Sequence, residues 1–320
     1  MNKKILITGF SGFVATHFVE YLYNNHNNYE IIGIDLNKPS YNYNKFEDRL
    51  KISFYKVDLL NREYLFDILG KVKPDYILHL AAYSSVAFSW EHPEESFINN
   101  SNIFLNLIHV IQKVNPSCRV LSVGSSEEYG NVAHENIPIR ENQLTNPLSP
   151  YAVARVSQEL LSKVYVNAYN MNIVMTRSFN HIGPRQDCRF VVPSFITRIL
   201  DIKNSGDNSG IIYTGNTDII RDFVDVRDVV KAYYILLIQG TSGETYNICS
   251  GKGIRLRELI QIISEEVGIN VCTKVDPKLI RPNDNMEIVG TYYKIETELG
   301  WKPEIKIRKT IQDMIEYYNK

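Results

Sequence analysis

Neither sign of charge is in excess in this 320-residue chain, which carries 35 Lys and Arg against 36 Asp and Glu for a net charge of −1. No basic surplus argues for nucleic acid or a membrane surface as partner. Cysteine is scarce: Cys118, Cys188, Cys249 and Cys272 are scattered, with no C-x-x-C spacing. That argues against a disulfide framework or a zinc site, and no metal is expected. No apolar run approaches the roughly 20 residues of a membrane span. The start, Met1-Asn-Lys-Lys-Ile-Leu-Ile-Thr-Gly9, lacks the apolar region and cleavage site of a secretory leader, so none is expected. Internal repeats and low-complexity linkers are missing too. What remains is ordinary for a soluble globular protein, 44% apolar and 22% charged. A cytoplasmic protein with two sub-domains around a large core is the expectation.

The stretch that stands out is Asn146-Pro-Leu-Ser-Pro-Tyr151-Ala-Val-Ala-Arg155. On a helix, Tyr151 and Arg155 share one face at about 6 Å. A permanent cation beside a phenol favours the ionised phenol, whose reference pKa of about 10 is otherwise too high for a base at neutral pH. Such a tyrosine can take a proton from an alcohol or return one to a ketone. A chance pair on an exposed helix start reads the same way, so the rest of the chain decides.

Residues 4–8 form an apolar strand that feeds Gly9-Phe10-Ser11-Gly12-Phe13-Val14-Ala15, then an amphipathic helix through about Tyr23. Gly9 permits a tight turn. Gly12 lets backbone approach a pyrophosphate at the helix N-terminus, and Ala15 allows close helix–strand packing. Glu30–Asp35 is the second strand. Its terminal Asp35 lies about 20 residues past the turn, where a carboxylate meets the adenosine ribose 2′-hydroxyl and repels a 2′-phosphate. No arginine follows closely, so the reading is NAD(H) rather than NADP. Ile52–Asp58 is a third strand, with Asp58 placed for the adenine amino group. Asp75–Ala82 is a fourth, with the small Ala81-Ala82 end letting a cofactor pass, and with His79 read as structural. A long helix spans about Glu95–Val114. Arg119 opens a fifth strand that ends in Ser125-Ser126-Glu127-Glu128-Tyr129-Gly130, and Ile173–Asn180 is a sixth. Strands alternating with helices at this spacing predict an α/β fold with a doubly wound parallel sheet, whose ligands bind beyond the carboxyl ends of the strands.

From Asn180 the pattern loosens. Helices are expected near Val192–Leu200, over Leu256–Val267 and after Arg308, with a strand at Glu244–Cys249. Residues 180–320 are expected to form a smaller substrate-binding domain beside a 1–179 cofactor-binding domain, with about 221–249 packing back on the latter. Arg185, Arg221 and Arg281 fall in turns or loops of this half. Arginine forks suit phosphate oxygens, so the three fit a diphosphate-bearing substrate.

Together these residues resemble the extended short-chain dehydrogenase/reductase superfamily, the NAD-dependent epimerase/dehydratase family. The resemblance covers nearly the whole chain. It rests on T-G-x-x-G-F-x-A from Thr8, Asp58, H-L-A-A from His79, Asn100, S-S-E-x-Y-G from Ser125, Y-x-x-x-R at Tyr151, R-D-F-V-x-V-x-D from Arg221 and R-P-x-D from Arg281. Asn180-His-Ile-Gly-Pro-Arg-Gln and Phe190-Val-Val-Pro point further, to the GDP-mannose 4,6-dehydratase and GDP-4-keto-6-deoxymannose reductase group. The resemblance implies a Rossmann-type cofactor domain, a nicotinamide dinucleotide and a nucleotide sugar, GDP-linked. Tyr151 would be the proton-transfer residue at sugar C4, Ser125 would share its hydrogen bonds, and Arg155, Ser126 and Glu127 would complete the catalytic set. Gly9, Phe10, Ser11, Gly12, Phe13, Val14, Asp35, Asp58, Leu59, Leu80, Ala81, Ala82 and Asn100, with Tyr151 and Arg155, would hold the cofactor. Ser85, Ser125, Glu127, Asn180, Arg185, Val191, Arg221, Arg281 and Asp284 would hold the substrate. A homo-oligomer, dimer or tetramer, is implied through the helices near 96–113 and 152–168.

The chain departs from the family at Arg155, where a lysine is usual, and at Thr291, where an aspartate is usual. Arginine keeps the charge with a different, planar geometry. Hydride exchange at sugar C4 begins four chemistries: dehydrogenation, reduction, epimerisation and 4,6-dehydration. The last needs a further base, for which Glu127 is the candidate. The arginine-rich cofactor loop of GDP-mannose dehydratases is not found after Asp35. The reading is therefore C4 oxidation or reduction of a GDP-hexose or GDP-heptose in surface-polysaccharide biosynthesis, with dehydration or epimerisation as alternatives. An alternative of another class, motivated by Arg155, is a catalytically weak NADH-binding regulator of a partner sugar-modifying enzyme.

Overall fold

The computed structural model of the chain describes residues 2–26, 28–280 and 285–320. The first half alternates: β1 (Lys3–Thr8), α1 (Phe13–Asn25), β2 (Tyr29–Asp35), β3 (Lys51–Lys56), α2 (Arg62–Val72), β4 (Tyr76–His79), α3 (Val86–Glu91), α4 (Pro93–Val114), β5 (Arg119–Ser125), α5 (Pro150–Tyr169) and β6 (Asn172–Ser178). The second half runs β7 (Asn180–Ile182), α6 (Val191–Asn204), β8 (Ser209–Thr214), β9 (Ile220–Asp225), α7 (Val226–Gln239), β10 (Thr245–Ile248), β11 (Gly253–Arg255), α8 (Leu256–Val267), β12 (Asn270–Val275), β13 (Glu287–Ile288), α9 (Tyr293–Leu299) and α10 (Ile307–Tyr318). No helix among the described residues is long and apolar enough to cross a membrane.

The main sheet has seven strands in the order β10-β6-β5-β4-β1-β2-β3, all parallel. This is the predicted α/β, doubly wound sheet. Its strands are buried on both faces, so successive side chains serve two cores. Ile5, Ile7 and Ile31 join α1 and α7 on one side, while Leu6, Ile32 and Ile34 join α2 and α4 on the other. The chain steps outward from β1 through β2 to β3, then returns to lay β4 on the opposite side of β1. That reversal opens a crevice at the carboxyl ends of β1 and β4. α7 packs on α1 and β10 pairs with β6, whereas β9 belongs to a smaller sheet with β7, β11 and β13. A separate core of α6, α8 and α10, including Phe195, Ile199, Leu259, Ile263 and Met314, fills the second half.

Several expected boundaries move. The third strand ends at Lys56 and the fourth at His79, so Asp58 and Ala81-Ala82 lie in the turns beyond. The sixth ends at Ser178, and Asn180 opens β7 instead. α2, α9 and the parallel pair β8–β12 were not expected from the sequence.

Phe10 also departs from expectation. It does not line the cavity at the carboxyl edge of the sheet. Its ring is fully buried against Tyr41, Tyr43 and Phe54. The ring occupies the space a side chain at Gly33 would need, since a Cβ there would lie 2.3 Å from it. Overpacking of this kind costs about 1–3 kcal/mol. Gly33→Ala should therefore lower the urea-unfolding stability by about that amount, and Gly33→Ala with Phe10→Leu should recover part of it. An undiminished urea midpoint in the single variant would show that the ring gives way freely.

Candidate active site

A cavity of about 980 Å³ lies along the carboxyl edge of β1, β2, β4 and β5 and reaches between β7, β8 and α6. It is at the upper end of the usual range for ligand pockets.

The turn after β1 forms its floor. Gly9 is in the left-handed region at φ +68°, and a Cβ there would sit 2.9 Å from the Ala81 nitrogen. Gly12 caps α1 and accepts no side chain freely, because its Cβ would meet the Gly9 carbonyl at 3.1 Å. The helix start is thus bare backbone, as an anion site requires. Asp35 closes the turn: its carboxylate accepts from Ser11 N at 2.9 Å and Asn37 N at 3.0 Å. Each carboxylate oxygen retains further acceptor capacity, so the structural bonds and a ligand hydroxyl are compatible. Thr8 Oγ1 accepts from Leu80 N and Ala81 N, both at 3.1 Å. With both lone pairs engaged, its own hydrogen is directed to His79 Nδ1 at 2.9 Å.

Most of the sequence-predicted residues come together here. Gly9, Ser11, Gly12, Phe13, Val14, Asp35, Asp58, Leu59, Leu80, Ala81, Ala82, Ser85, Ser125, Glu127, Tyr151, Arg155, Asn180, Arg185, Val191 and Arg221 all line the cavity. Asn100 does not. It is buried behind the wall and clamps the backbone of Tyr83, accepting from its N at 2.8 Å and donating to its O at 3.1 Å. Ser126 is also buried away from the cavity. Arg281 and Asp284 lie outside the described residues. Thr291 does not line the cavity and caps the turn into α9, its hydroxyl accepting from Tyr293 N at 3.2 Å.

α5 delivers the central pair. Ser149 caps it, accepting from Ala152 N at 3.2 Å, and Pro150 occupies the first turn. Tyr151 and Arg155 are buried to 6% and 5% exposure yet face the cavity. Arg155 Nε donates to Tyr151 Oη at 3.3 Å. The phenol oxygen accepts there, so its own hydrogen is directed elsewhere. Ser125, at the end of β5, is set by Glu128, whose Oε1 accepts from Ser125 N at 2.7 Å. Burial and the neighbouring Glu159 push the Glu128 carboxyl well up, against the opposing pull of the Ser125 amide and Arg177. Arg221 is held by the carbonyls of Asn285 at 2.7 Å and Ile220 at 3.0 Å. Arg185 departs from a free phosphate fork: it donates to Glu20 on α1 at 2.8 Å. Sequence reasoning passed over the roles of Thr8, Asn100 as a clamp, and Glu128. Thr8 stands next to the glycine turn, which was the one available signal.

A doubly wound parallel sheet, with a glycine turn, a strand-end carboxylate and a Tyr/Arg pair on one crevice, defines a dinucleotide-binding protein of the dehydrogenase/reductase class. The sequence model for GDP-mannose 4,6 dehydratase matches residues 6–314, and the chain belongs to that family. It is 30% identical over 315 residues to GDP-6-deoxy-D-mannose reductase of Pseudomonas aeruginosa, covering 98% of this chain and 97% of the relative. It is 27% identical over 352 residues to GDP-mannose 4,6-dehydratase of Yersinia enterocolitica, covering 98% and 93%. The solved structure of RMD from Pseudomonas aeruginosa complexed with NADPH superposes with a TM-score of 0.84 at 29% identity, covering 100% of this chain and 98% of that one.

The buried histidines set a pH dependence. Burial, reinforced by the charge of Arg155, depresses His79 to about 3. Burial also lowers His17, against the Pro184 carbonyl and Glu20. Their unfolded value is about 6.5. Because the folded values are lower, this stability is fully present above about pH 6.5 and is lost as pH falls toward the folded values. The histidines' share of the stability should therefore fall between pH 7 and pH 5, while the raised carboxyls of Glu128 and Asp222 act in the opposite direction. Over that interval the urea midpoint of a His17→Gln/His79→Gln variant should fall less, or rise more, than the wild type's. Equal changes in both proteins would assign the pH dependence to other groups.

Proposed function

We propose that this protein is a cytoplasmic NAD(H)-dependent oxidoreductase acting at C4 of a GDP-linked sugar, a GDP-mannose-type hexose or heptose, in the supply of sugars for surface polysaccharide. The observation that carries the reading is that Tyr151, its hydroxyl engaged by Arg155, shares one cavity with the Gly9–Gly12 turn and with Arg221. The family and the names of the relatives support the GDP-linked sugar.

When bound, the nicotinamide supplies or accepts hydride at C4. The chain's own residues do the rest. The bare start of α1 and the Ser11–Asp35 tie suit the pyrophosphate and adenosine ribose. Tyr151 takes the proton of the C4 hydroxyl in oxidation, or returns it to the ketone in reduction. Ser125 shares that proton's hydrogen bonds, with its backbone anchored by Glu128. Asn180 and Arg221 line the half of the cavity suited to the diphosphate, which belongs to the smaller substrate-binding part. Apolar side chains exposed on α4 and α5, Phe97, Ile98, Leu160 and Val164, support a homodimer paired through these helices. Glu127 lines the same cavity and supports 4,6-dehydration as the second reading.

Purified protein given NAD(H) and GDP-mannose-type sugars should exchange deuterium at C4. Loss of water from the product would favour the dehydratase. No exchange with any nucleotide sugar, despite tight NADH binding, would leave the cofactor-loaded regulator. Tyr151→Phe should lower exchange by about 10²–10⁴-fold while sparing NADH binding. Asp35→Ser should shift the NAD-to-NADP affinity ratio by about tenfold or more, ~1.4 kcal/mol. An unchanged ratio would remove Asp35 from cofactor choice, and a wild-type ratio already in favour of NADP would overturn the NAD(H) reading.

A further inference from the structure

Arg155 is restrained beyond its contact with Tyr151. Its Nη1 donates to the Val123 carbonyl at 3.1 Å and to Gln158 Oε1 at 2.8 Å. Gln158 is itself fixed, because its amide nitrogen donates to Ser122 Oγ at 2.8 Å and to the Val123 carbonyl at 3.0 Å. Turning that amide over would set Nε2 against Nη1, donor to donor, and Oε1 against the Val123 oxygen, acceptor to acceptor. Its orientation is therefore dictated by its neighbours. Ser162 Oγ closes the network, 3.3 Å from Ser122 Oγ and 2.9 Å from the Gln158 carbonyl. Gln158, Ser122 and Ser162 are exposed by 1%, 2% and 0%, so none of this is solvated. Tyr151, Arg155, Gln158 and Ser162 follow one another at i, i+4, i+7 and i+11, which is one stripe along α5.

An ammonium at position 155 would present the same donors however it turned. A guanidinium is a planar fork, so its plane must be set before its N–H groups meet chosen partners. Val123 O alone restrains Nη1 at one point. A second acceptor on Nη1 fixes the plane.

The geometry points to Gln158 as the positioning residue for Arg155: by accepting the second Nη1 hydrogen it holds the guanidinium plane, so that Nε meets the Tyr151 hydroxyl and Nη2, without a protein partner among the described residues, is kept for hydroxyl acceptors of a bound ligand. The restraint is a property of the free protein. Only its kinetic consequence rests on the proposed C4 chemistry.

The test uses full-length protein labelled with [15N]arginine. The Nε–H resonance of Arg155 is assigned by its loss in Arg155→Lys. Its order parameter should be about 0.85 in the wild type, as for a rigid group, and below about 0.6 in Gln158→Met. Gln158→Glu, which keeps an acceptor toward Nη1, should stay rigid. A wild-type value below about 0.6, which needs no variant, or a rigid signal in Gln158→Met, overturns the proposal. NADH titration gives a second readout. Gln158→Met should weaken binding about tenfold in the Arg155 protein, but no more than about twofold in an Arg155→Lys background, where there is no Nη1 to hold. Equal losses in the two backgrounds would mean that Gln158 only fills the core, and would overturn the assignment. Where C4 exchange is observed, Gln158→Met should also slow it; an unchanged rate counts against the assignment. If the wild type exchanges with no sugar, the proposed function fails, and the order parameters and NADH titrations still decide this inference.

Discussion

The site depends on how closely the turn after β1 approaches the end of β4. Gly9 and Ala81 meet at a distance that leaves no room for a Cβ. The Thr8 hydroxyl locks the approach by accepting from two successive amides, Leu80 and Ala81. These are the strands between which the order of the sheet reverses, so the lock fixes the width of the crevice. It also explains why His79 is neutral and why it is where it is. The imidazole takes the one hydrogen Thr8 has left to give, in a space too dry for a second charge so near Arg155. A residue that looks catalytic by type is thereby part of the support for the floor.

The same approach accounts for which parts were legible in the sequence. A glycine turn, a strand-end aspartate and a Tyr/Arg pair carry their meaning in local spacing. Their convergence follows from the rule that parallel sheets bind ligands at one edge. Phe10 lies inside that local motif, but its side chain answers to a tertiary vacancy, the missing Cβ of Gly33 on the neighbouring strand. Asn100 sits where the motif expects it, yet it acts through the backbone of Tyr83. Spacing along a helix gives its face and not its partner. The β8–β12 pair was illegible for another reason: its strands lie far apart in sequence, and β12 is largely exposed, so the apolar alternation that marks a strand is absent. Arg185 is a matter of competition, because nothing local says that Glu20 on α1 reaches it first.

The candidate proton-handling groups share one buried set of charges. Arg177 pairs with Glu159 through Nη2 at 2.8 Å and Nε at 2.9 Å, and its Nε lies 3.9 Å from Glu128. Glu128 holds the amide of Ser125, while Glu159 is one residue past Gln158 on α5. The strand end that carries Ser125 and the helix that carries Tyr151 are thus both tied to Arg177 on β6. Buried ion pairs are weak contributors to net stability, because desolvation consumes most of the attraction. Their value here is geometric. Removing either Arg177 or Glu159 would leave the other charge unmatched in a dry interior, which penalises every arrangement except the paired one.

That constraint bears on why an arginine is tolerated at position 155. Arg155 brings a second guanidinium into range of this cluster, and the carboxyl of Glu128 lies close enough to respond to both arginines. Burial and Glu159 hold that acid up, while the Ser125 amide and the two arginines draw it down. The neutral amide of Gln158 does the complementary task. It fixes the direction of the guanidinium and adds no charge of its own. Orientation and electrostatics are therefore assigned to different residues. An arginine in a place suited to lysine needs that separation: its charge is permanent, but its plane has to be chosen.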